Sequence, residues 1–278
     1  MKQGVLPLDN QEQFWSEVLS FCQKTTEAIA TNLLEKAGKL TPTAKNDGSL
    51  VTSADRWADQ TIREAIASQF PTHGILTEET SHIFPEQDWC WIIDPIDGTT
   101  NFTRGVPIWA ISLGLTYRGT PVFGFVYLPP LKQSFYGYWY GETGLNGPTG
   151  AYCDGEPITT SHDTPSKSHL FNLCARSRKV LQKPFPCKIR MIGVASYNLL
   201  LVASGAAVGG VEATPKVWDI AAVWVIVQAA GGKFIFLKDA DLFPLTIGEN
   251  YASKSIPSLV VNRQEYVSLF KPLVECIL

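Results

Sequence analysis

Residues 91–102 read Trp91-Ile92-Ile93-Asp94-Pro95-Ile96-Asp97-Gly98-Thr99-Thr100-Asn101-Phe102. The apolar residues before Asp94 predict the end of a buried strand, and Pro95 is expected to stop that strand. Both aspartates would then lie at its carboxyl end, where ligands of α/β sheets usually bind. Gly98 lets the backbone approach a ligand closely, and the residues after it predict a helix start that favours an anion.

Asp94 and Asp97 can reach the same small volume across a turn. Without a cation, each carboxylate would raise the pKa of the other. Hard oxygen ligands with no histidine or cysteine beside them favour Mg²⁺ over zinc. The segment therefore predicts a site for a metal-bound phosphate, although an Asp-Pro turn followed by a capped helix would explain the same residues on structural grounds alone.

Segment 94–102 resembles the signature of the inositol monophosphatase family, whose members are Mg²⁺-dependent, lithium-sensitive phosphatases. Three further segments fit the same family in the same order. The four segments run from position 45 to position 222 and so cover most of the chain. The further three are Lys45-Asn46-Asp47-Gly48-Ser49-Leu50-Val51-Thr52-Ser53-Ala54-Asp55, Ile75-Leu76-Thr77-Glu78-Glu79 and Trp218-Asp219-Ile220-Ala221-Ala222.

Each of these further segments also has an ordinary structural explanation. Asp219 precedes a long apolar run that ends at two glycines, so it would serve as the N-cap of a buried helix. Glu78 follows a short apolar run and would suit a solvated surface, and Asp55 would interact favourably with a helix dipole. The agreement of four segments favours the catalytic interpretation.

The resemblance implies which residues bind metal and activate water. Glu78, Asp94 and the carbonyl group of Ile96 would bind one Mg²⁺ ion. Asp94, Asp97 and Asp219 would surround a second ion, and a third, weaker ion would lie near Glu78. The catalytic residues implied are Glu78, Thr99 and Asp55, with the attacking water oriented or deprotonated by Glu78 and Thr99.

The resemblance also implies a set of residues that bind substrate. The backbone N–H groups of Gly98 and Thr99 would hold the phosphate. The Ala195 N–H and the Glu212 carboxylate would contact the leaving group, although Glu212 would equally suit a strand end. The implied substrate-binding set is Asp97, Gly98, Thr99, Ala195, Glu212 and Asp219.

Two positions decide how closely the chain follows the family pattern around the substrate. Lys45 matches a family lysine near the site, but an ordinary loop lysine would fit as well. Val194 stands where many relatives have a small hydroxyl residue, which weakens the case for inositol phosphate as the substrate.

Three substrates share the implied mechanism, and we rank inositol monophosphate first and histidinol phosphate second. Another small phosphate, such as a sugar bisphosphate or a phosphoadenosine nucleotide, comes third. A regulatory protein that binds a partner on the same fold is the alternative from a different class. The retained acidic residues and Thr99 argue against a purely structural role.

Composition sets bounds that agree with this interpretation. The chain has 278 residues, of which 45% are hydrophobic, enough for one large domain or two tightly joined halves at about 1–155 and 156–278. The formal net charge is −3, and no run of lysine and arginine suits a nucleic-acid backbone. We therefore expect a small phosphorylated metabolite as the main partner, and the resemblance implies a homodimer.

The cysteines and the apolar segments predict a cytoplasmic protein. The six cysteines show no C-x-x-C pair, and their apolar contexts predict reduced core residues in a reducing compartment. The amino terminus lacks a sustained apolar segment typical of a signal peptide. The apolar stretch 199–211 is too short and too rich in glycine to span a membrane.

Hydrophobic periodicity predicts an α/β chain. Helices are expected at 11–37, 53–69, 195–204, 220–230 and 264–276. Strands at 108–117, 122–128 and 134–140 predict an antiparallel meander, followed by strands near 170–174, 189–192, 208–211, 233–237 and 258–261. The resemblance implies a more specific fold, the five-layered αβαβα sandwich of inositol monophosphatases and fructose-1,6-bisphosphatases.

Overall fold

Six α-helices form in the computed structural model, which describes residues 8–44, 50–182, 184–238 and 242–278. The predicted site residue Lys45 lies outside the described residues. Four short 3₁₀ helices lie at Pro129–Leu131, Ala175–Gln182, Gln264–Tyr266 and Glu275–Ile277. The α-helices are α1 (Leu8–Lys36), α2 (Ser53–Gln69), α3 (Thr99–Thr103), α4 (Ala195–Ala203), α5 (Val217–Ala229) and α6 (Val267–Val274).

The first half of the chain forms a short antiparallel strand pair and a seven-stranded sheet. The pair is β1 (Thr43–Ala44) with β2 (Leu50–Val51). The sheet follows chain order and is antiparallel except for its first pair, which is parallel. Its strands are β3 (Gly74–Thr77), β4 (Trp89–Asp97), β5 (Ala110–Tyr117), β6 (Thr120–Leu128), β7 (Gln133–Tyr138), β8 (Gly150–Cys153) and β9 (Glu156–Ile158).

The second half forms a five-stranded mixed sheet. Its strands are β10 (Leu170–Leu173), β11 (Lys188–Arg190), β12 (Gly209–Glu212), β13 (Lys233–Phe236) and β14 (Ser258–Val261). They lie in the order β11-β10-β12-β14-β13, and β10 is parallel to both of its neighbours. The carboxyl ends of β10 and β12 therefore meet at one edge of the sheet.

Among the described residues, four apolar cores join five layers, and three of them show the order of the layers. Helices α1 and α2 bury Val18 and Ile62 against one face of the large sheet. Helices α4 and α5 fill the space between the sheets, where Ile226 shares a core with Val126 and Val260. Helix α6 packs Phe270 against the outer face of the five-stranded sheet. This arrangement confirms the αβαβα sandwich.

Helix α5 sits directly on the backbone of β6. A Cβ atom added at Gly124 would lie 2.2 Å from the Ala222 carbonyl oxygen, so only glycine permits this approach. The apolar residues of α5 are buried on nearly every side between the two sheets. The position of the helix, and of the residues at its amino end, is therefore determined by close packing.

The prediction that Pro95 ends its strand is wrong. β4 continues to Asp97, and its register against β5 shifts between the pairs Asp94–Ser112 and Asp97–Ala110. A bulge at this point accommodates a residue that has no N–H for the ladder. Both aspartates consequently belong to the strand itself, at its carboxyl end.

Helix α2 begins and ends at the predicted residues, whereas the carboxyl-terminal helix does not. The segment 264–276, predicted to be one helix, divides into α6 and two flanking 3₁₀ helices. Pro272 lies inside α6 and lacks the N–H that a regular helix needs there. The prediction of one continuous helix is therefore wrong.

All six cysteines are free thiols, as expected for a chain without structural disulfides. Cys22, Cys90 and Cys187 are buried, but Cys276 is exposed, so the prediction of core cysteines is wrong for Cys276. Within the described ranges, the structure contains no helix that is both long and apolar enough to cross a membrane.

Candidate active site

A cleft of about 1080 Å³ opens where several strands end and several helices begin. Glu78 follows β3, Asp97 ends β4 and Glu212 ends β12, and all three line this cleft. The first turns of α3, α4 and α5 supply further residues of its wall. The topology thus brings together residues that are far apart in the sequence, from Leu50 to Ser253.

Three carboxylates form the floor of the cleft. One oxygen atom each of Asp94, Asp97 and Asp219 lies within 4.8 Å of the others. Asp94 and Asp97 are buried, and Asp219 is half-buried. The structure therefore brings together three of the residues that the sequence pointed to as metal ligands.

Asp219 is not the N-cap of its helix, because α5 begins two residues earlier, at Val217. Its carboxylate instead accepts a hydrogen bond of 2.5 Å from the backbone N–H of Lys216, the actual N-cap residue. This bond satisfies one of the free N–H groups at the helix start and fixes the carboxylate there. Lys216 itself donates from Nζ to the Ala252 carbonyl oxygen.

Asp97 joins the large sheet to α4. Its two carboxylate oxygens accept hydrogen bonds from the backbone N–H groups of Ala195, at 3.2 Å, and Ser196, at 2.6 Å. These donors belong to the first turn of the helix, where a negative charge is favoured. The Ala195 N–H that the resemblance assigns to substrate is thus bonded to Asp97 in this structure.

Thr99 lies between two oxygen acceptors. Its hydroxyl oxygen is 3.3 Å from Asp55 Oδ1 and 3.1 Å from the Ile96 carbonyl oxygen. A threonine hydroxyl has one proton, so these acceptors share or compete for it. Asp55 is buried behind Thr99, outside the cleft wall, and also accepts from the Thr52 backbone N–H.

Gly98 turns the chain from β4 into α3. Its φ angle is +91°, and a Cβ atom there would lie 2.7 Å from Val194 Cγ2. Glycine is therefore required by both conformation and space. Val194, noted above for lacking a hydroxyl, is buried in the apolar core beside this turn.

Glu78 lies in the same cleft but outside the group of three oxygens within 4.8 Å. Its backbone N–H donates to the Ile93 carbonyl, and its own carbonyl lies 2.8 Å from His82 Nε2. The loop that carries it is fixed by Thr77, whose hydroxyl accepts from the Thr80 backbone N–H. The negative charge of Glu78 acts on all three aspartates.

Burial and mutual repulsion disfavour the ionised forms of these acids. Burial, followed by the charges of Glu78, Asp97 and Asp219, raises the pKa of Asp94 well above its usual range. Burial and the charges of Asp97 and Glu78 do the same to the pKa of Asp219. The pKa of Asp97 is raised by burial and lowered again in part by hydrogen bonds from Ser196.

The donor set fits a hard divalent cation. Among the described residues, no lysine, arginine or histidine forms an ion pair with Asp94, Asp97 or Asp219. Three clustered carboxylates of raised pKa need a positive charge close by to stay ionised together, and a bound cation would supply it. Oxygen ligands without nitrogen or sulfur in the cluster suit Mg²⁺.

Glu212 lies further along the cleft and is also buried. Burial raises its pKa to about 8, against a lowering by the hydrogen bond from Asn198. Asn198 Nδ2 donates to Glu212 Oε1 at 2.6 Å. Cys174 lies beside it, accepts a hydrogen bond from the Ala213 N–H, and adds to the polar wall.

Sequence reasoning missed several residues of the cleft, among them His82, Cys174, Arg176, Asn198 and Thr214. A signal existed for two of them. Cys174 ends a predicted strand and Arg176 lies two positions after it, and the carboxyl ends of strands are where such sites form. No local pattern marks Asn198 or Thr214, whose places depend on how the second sheet packs.

Comparison with known proteins agrees with this geometry. Residues 13–268 match the model of the inositol monophosphatase family. A protein of Aquifex aeolicus named fructose-1,6-bisphosphatase/inositol-1-monophosphatase is 34% identical over 202 residues, 68% of this chain and 73% of that protein. A histidinol-phosphatase of Chlorobaculum parvum is 31% identical over 223 residues, 73% of this chain and 83% of that protein.

A solved structure shows the same fold. The chain superposes on the Thermotoga maritima IMPase with a TM-score of 0.77 and 27% sequence identity, over 93% of this chain and 97% of that one. The family match spans nearly the entire described fold, including every acidic residue of the cleft. The protein is therefore a member of the inositol monophosphatase family, and it is a phosphomonoesterase.

Proposed function

We propose that the protein hydrolyses a small phosphorylated metabolite with Mg²⁺, through attack by water and without a phosphoenzyme. The observation that supports this most directly is the cluster of Asp94, Asp97 and Asp219 within 4.8 Å at the floor of the cleft. Glu78, Asp94 and the Ile96 carbonyl would hold one ion, and the three aspartates a second. A third ion would lie near Glu78.

When bound, Mg²⁺ would lower the pKa of a coordinated water and neutralise the phosphoryl oxygens. Glu78 would accept a proton from the attacking water, and the Thr99 hydroxyl, with Asp55 behind it, would orient that water. The backbone N–H groups of Gly98 and Thr99, at the start of α3, would hold the phosphate oxygens. Each of these groups already lies at or beside the cleft.

The leaving group would lie on the side of Glu212, Ala195 and Asp219. A carboxylate oxygen of Glu212 is suited to accept hydrogen bonds from substrate hydroxyl groups. We rank inositol monophosphate first, histidinol phosphate second, and sugar bisphosphates or phosphoadenosine nucleotides third. The names of the Aquifex aeolicus and Chlorobaculum parvum relatives support this choice of candidates. The homodimer and the cytoplasmic location stay predictions.

Phosphate release by the purified protein tests the proposal. It should be measured with Mg²⁺ and with a chelator, on inositol monophosphate, histidinol phosphate, fructose bisphosphate and phosphoadenosine phosphate. One substrate that dominates in the presence of Mg²⁺ would identify the reaction. No release from any of them would favour the regulatory role over catalysis.

A further inference from the structure

The cleft wall beyond the carboxylates contains an arginine that the proposed reaction does not use. Arg176 lies in the 3₁₀ helix that follows β10, and it lines the cleft. Its Nη1 atom donates a hydrogen bond of 2.7 Å to Thr214 Oγ1. Thr214 comes two residues after Glu212, so this bond ties the guanidinium to the end of β12.

The guanidinium keeps most of its hydrogen-bonding capacity. It has five N–H donors, and Thr214 takes one. Over the part of the chain that the structure describes, Arg176 forms no ion pair with a carboxylate. Lys216, another cation of the cleft, already donates to the Ala252 carbonyl. Arg176 is thus a positioned cation whose remaining donors can meet an anion.

A connected polar wall leads from the acidic cluster to this arginine. Asp97 contacts the first turn of α4, and Asn198 from the same helix donates to Glu212. The residue after Glu212 donates its N–H to Cys174, and Arg176 follows two positions later. A substrate with its phosphoryl group over the aspartates would extend its leaving group along this wall toward the guanidinium.

We propose that Arg176, held by Thr214, binds a second anionic group on the leaving group. Glu212 would accept hydrogen bonds from hydroxyl groups between the two anions. The preferred substrates are then polyhydroxylated phosphomonoesters that carry a second phosphate, since a guanidinium pairs with phosphate oxygens through two parallel bonds. The inference rests on the proposed phosphatase activity, and it changes the ranking given there by moving sugar bisphosphates from third place to a place ahead of inositol monophosphate.

Inhibition constants measured against hydrolysis of p-nitrophenyl phosphate test this inference whether or not the sugar phosphate is turned over. The matched pairs are fructose 1-phosphate with fructose 1,6-bisphosphate, and glucose 1-phosphate with glucose 1,6-bisphosphate. We expect the bisphosphate of at least one pair to bind roughly 10- to 100-fold more tightly, the range of one charge-assisted contact. Arg176→Gln should bring that ratio close to one.

Arg178→Gln is the matched control. It removes the same charge from the same 3₁₀ helix, but Arg178 does not line the cleft. This variant should keep the bisphosphate preference of the unaltered protein. Thr214→Val, which removes the acceptor that positions the guanidinium, should reduce the preference by about 5-fold.

Three results would overturn the inference. In the first, the monophosphate and the bisphosphate have equal inhibition constants in both pairs. In the second, Arg176→Gln weakens the binding of both members of a pair equally. In the third, Arg178→Gln loses the preference for the bisphosphate as Arg176→Gln does. Hydrolysis of p-nitrophenyl phosphate that depends on Mg²⁺ would leave the proposed function standing in each case. If no Mg²⁺-dependent hydrolysis occurs, the proposed function fails and this inference fails with it.

Discussion

Asp55 and Asp219 occupy the same position in two different helices. Each is the third residue of its helix, and each accepts the backbone N–H of the residue three positions earlier, at 2.7 Å from Thr52 and 2.5 Å from Lys216. Helices α2 and α5 lie on opposite faces of the seven-stranded sheet. Two site carboxylates are therefore held at helix starts, one on each side of β4.

Replacing Asp94 with asparagine should separate catalysis from folding. We expect Asp94→Asn to reduce Mg²⁺-dependent turnover by at least about 100-fold, because a central metal ligand is lost. The metal-free variant should unfold at the same or a higher temperature, since a buried group repelled by three other acids becomes neutral.

Phosphate release and thermal unfolding in a chelator would measure both effects. Asp88→Asn is a suitable control, because Asp88 is exposed and pairs with Arg118 on the surface. Normal turnover by Asp94→Asn would contradict the metal assignment.

The stability of the metal-free protein should depend on pH. Folding raises the pKa of Asp94, Asp97, Asp219 and Glu212, the last to about 8. A group whose pKa is raised on folding contributes its full stabilisation below its ordinary pKa. That stabilisation is lost as pH rises through the pKa of the group in the folded protein. We expect the unfolding temperature in a chelator to fall as pH rises from about 5 to about 8.

Mg²⁺ should reverse this trend, because it binds the deprotonated carboxylates and its affinity rises with pH. Parallel melting curves with a chelator and with excess Mg²⁺ would show the two behaviours. The chelated Asp94→Asn variant should show a smaller fall. If the stability of the protein in a chelator increased steadily over this pH range, folding would not raise the pKa values of these acids.

The turn at Gly98 should not tolerate a side chain. Gly98→Ala would place a Cβ at positive φ and 2.7 Å from Val194 Cγ2, and we expect it to cost about 1–3 kcal/mol of the free energy of unfolding. Gly144 also has positive φ but has no atom within 4 Å of its Cβ position. Gly144→Ala therefore measures the conformational cost alone.

Urea unfolding of both variants would separate the two contributions. If Gly98→Ala lost no more stability than Gly144→Ala, the Val194 side chain would be able to move aside without a measurable loss of free energy. Turnover should fall in Gly98→Ala, because Gly98 lines the cleft, and stay unchanged in Gly144→Ala, because Gly144 does not line it.

The loop of Glu78 is anchored through Asp59. Asp59 is fully buried in α2, and its Oδ2 accepts a hydrogen bond of 2.9 Å from the Thr80 hydroxyl. Thr80→Val should cost about 1–3 kcal/mol, because it leaves a buried carboxylate with a weaker set of partners. It should also raise the Mg²⁺ concentration needed for half-maximal activity. Thr80→Ser, which keeps the hydroxyl, should restore that concentration, and failure to do so would argue against the anchor.

Lithium should inhibit the enzyme at millimolar concentrations or above. The family resemblance implies that Li⁺ competes for the ion bound by Asp94, Asp97 and Asp219. Initial rates at fixed substrate should decrease with LiCl and recover with added Mg²⁺, while KCl at the same ionic strength should have little effect. Equal effects of the two salts would contradict this expectation.

Much of the fold followed from local patterns. The limits of α2 were predicted correctly, and the structure shows that Thr52 and Asp55 form a capping box at its start. The carboxylates of β4 were identified because an apolar strand led directly to them. Pro95 was misjudged, because a bulge depends on the neighbouring strand. Asp219 was placed at the wrong helix position because the actual N-cap, Lys216, is not a residue type that usually marks a helix start.

The recognition side of the cleft was less predictable. Glu212 was identified through the family resemblance, but its bond with Asn198 and the bond between Arg176 and Thr214 join segments that are distant in sequence. Their contacts span 14 and 38 positions in sequence. Such contacts depend on tertiary packing, which a pattern of apolar residues does not specify.

The close packing of α5 on Gly124 has an evolutionary consequence. The helix that carries Asp219 is wedged between two sheets, so substitutions that shift it are costly throughout the core. Arg176 and Thr214 lie in more exposed segments beyond the strand ends. Mutation can therefore alter which ester is accepted while the hydrolytic apparatus stays intact, and a new preference can arise from a few surface changes.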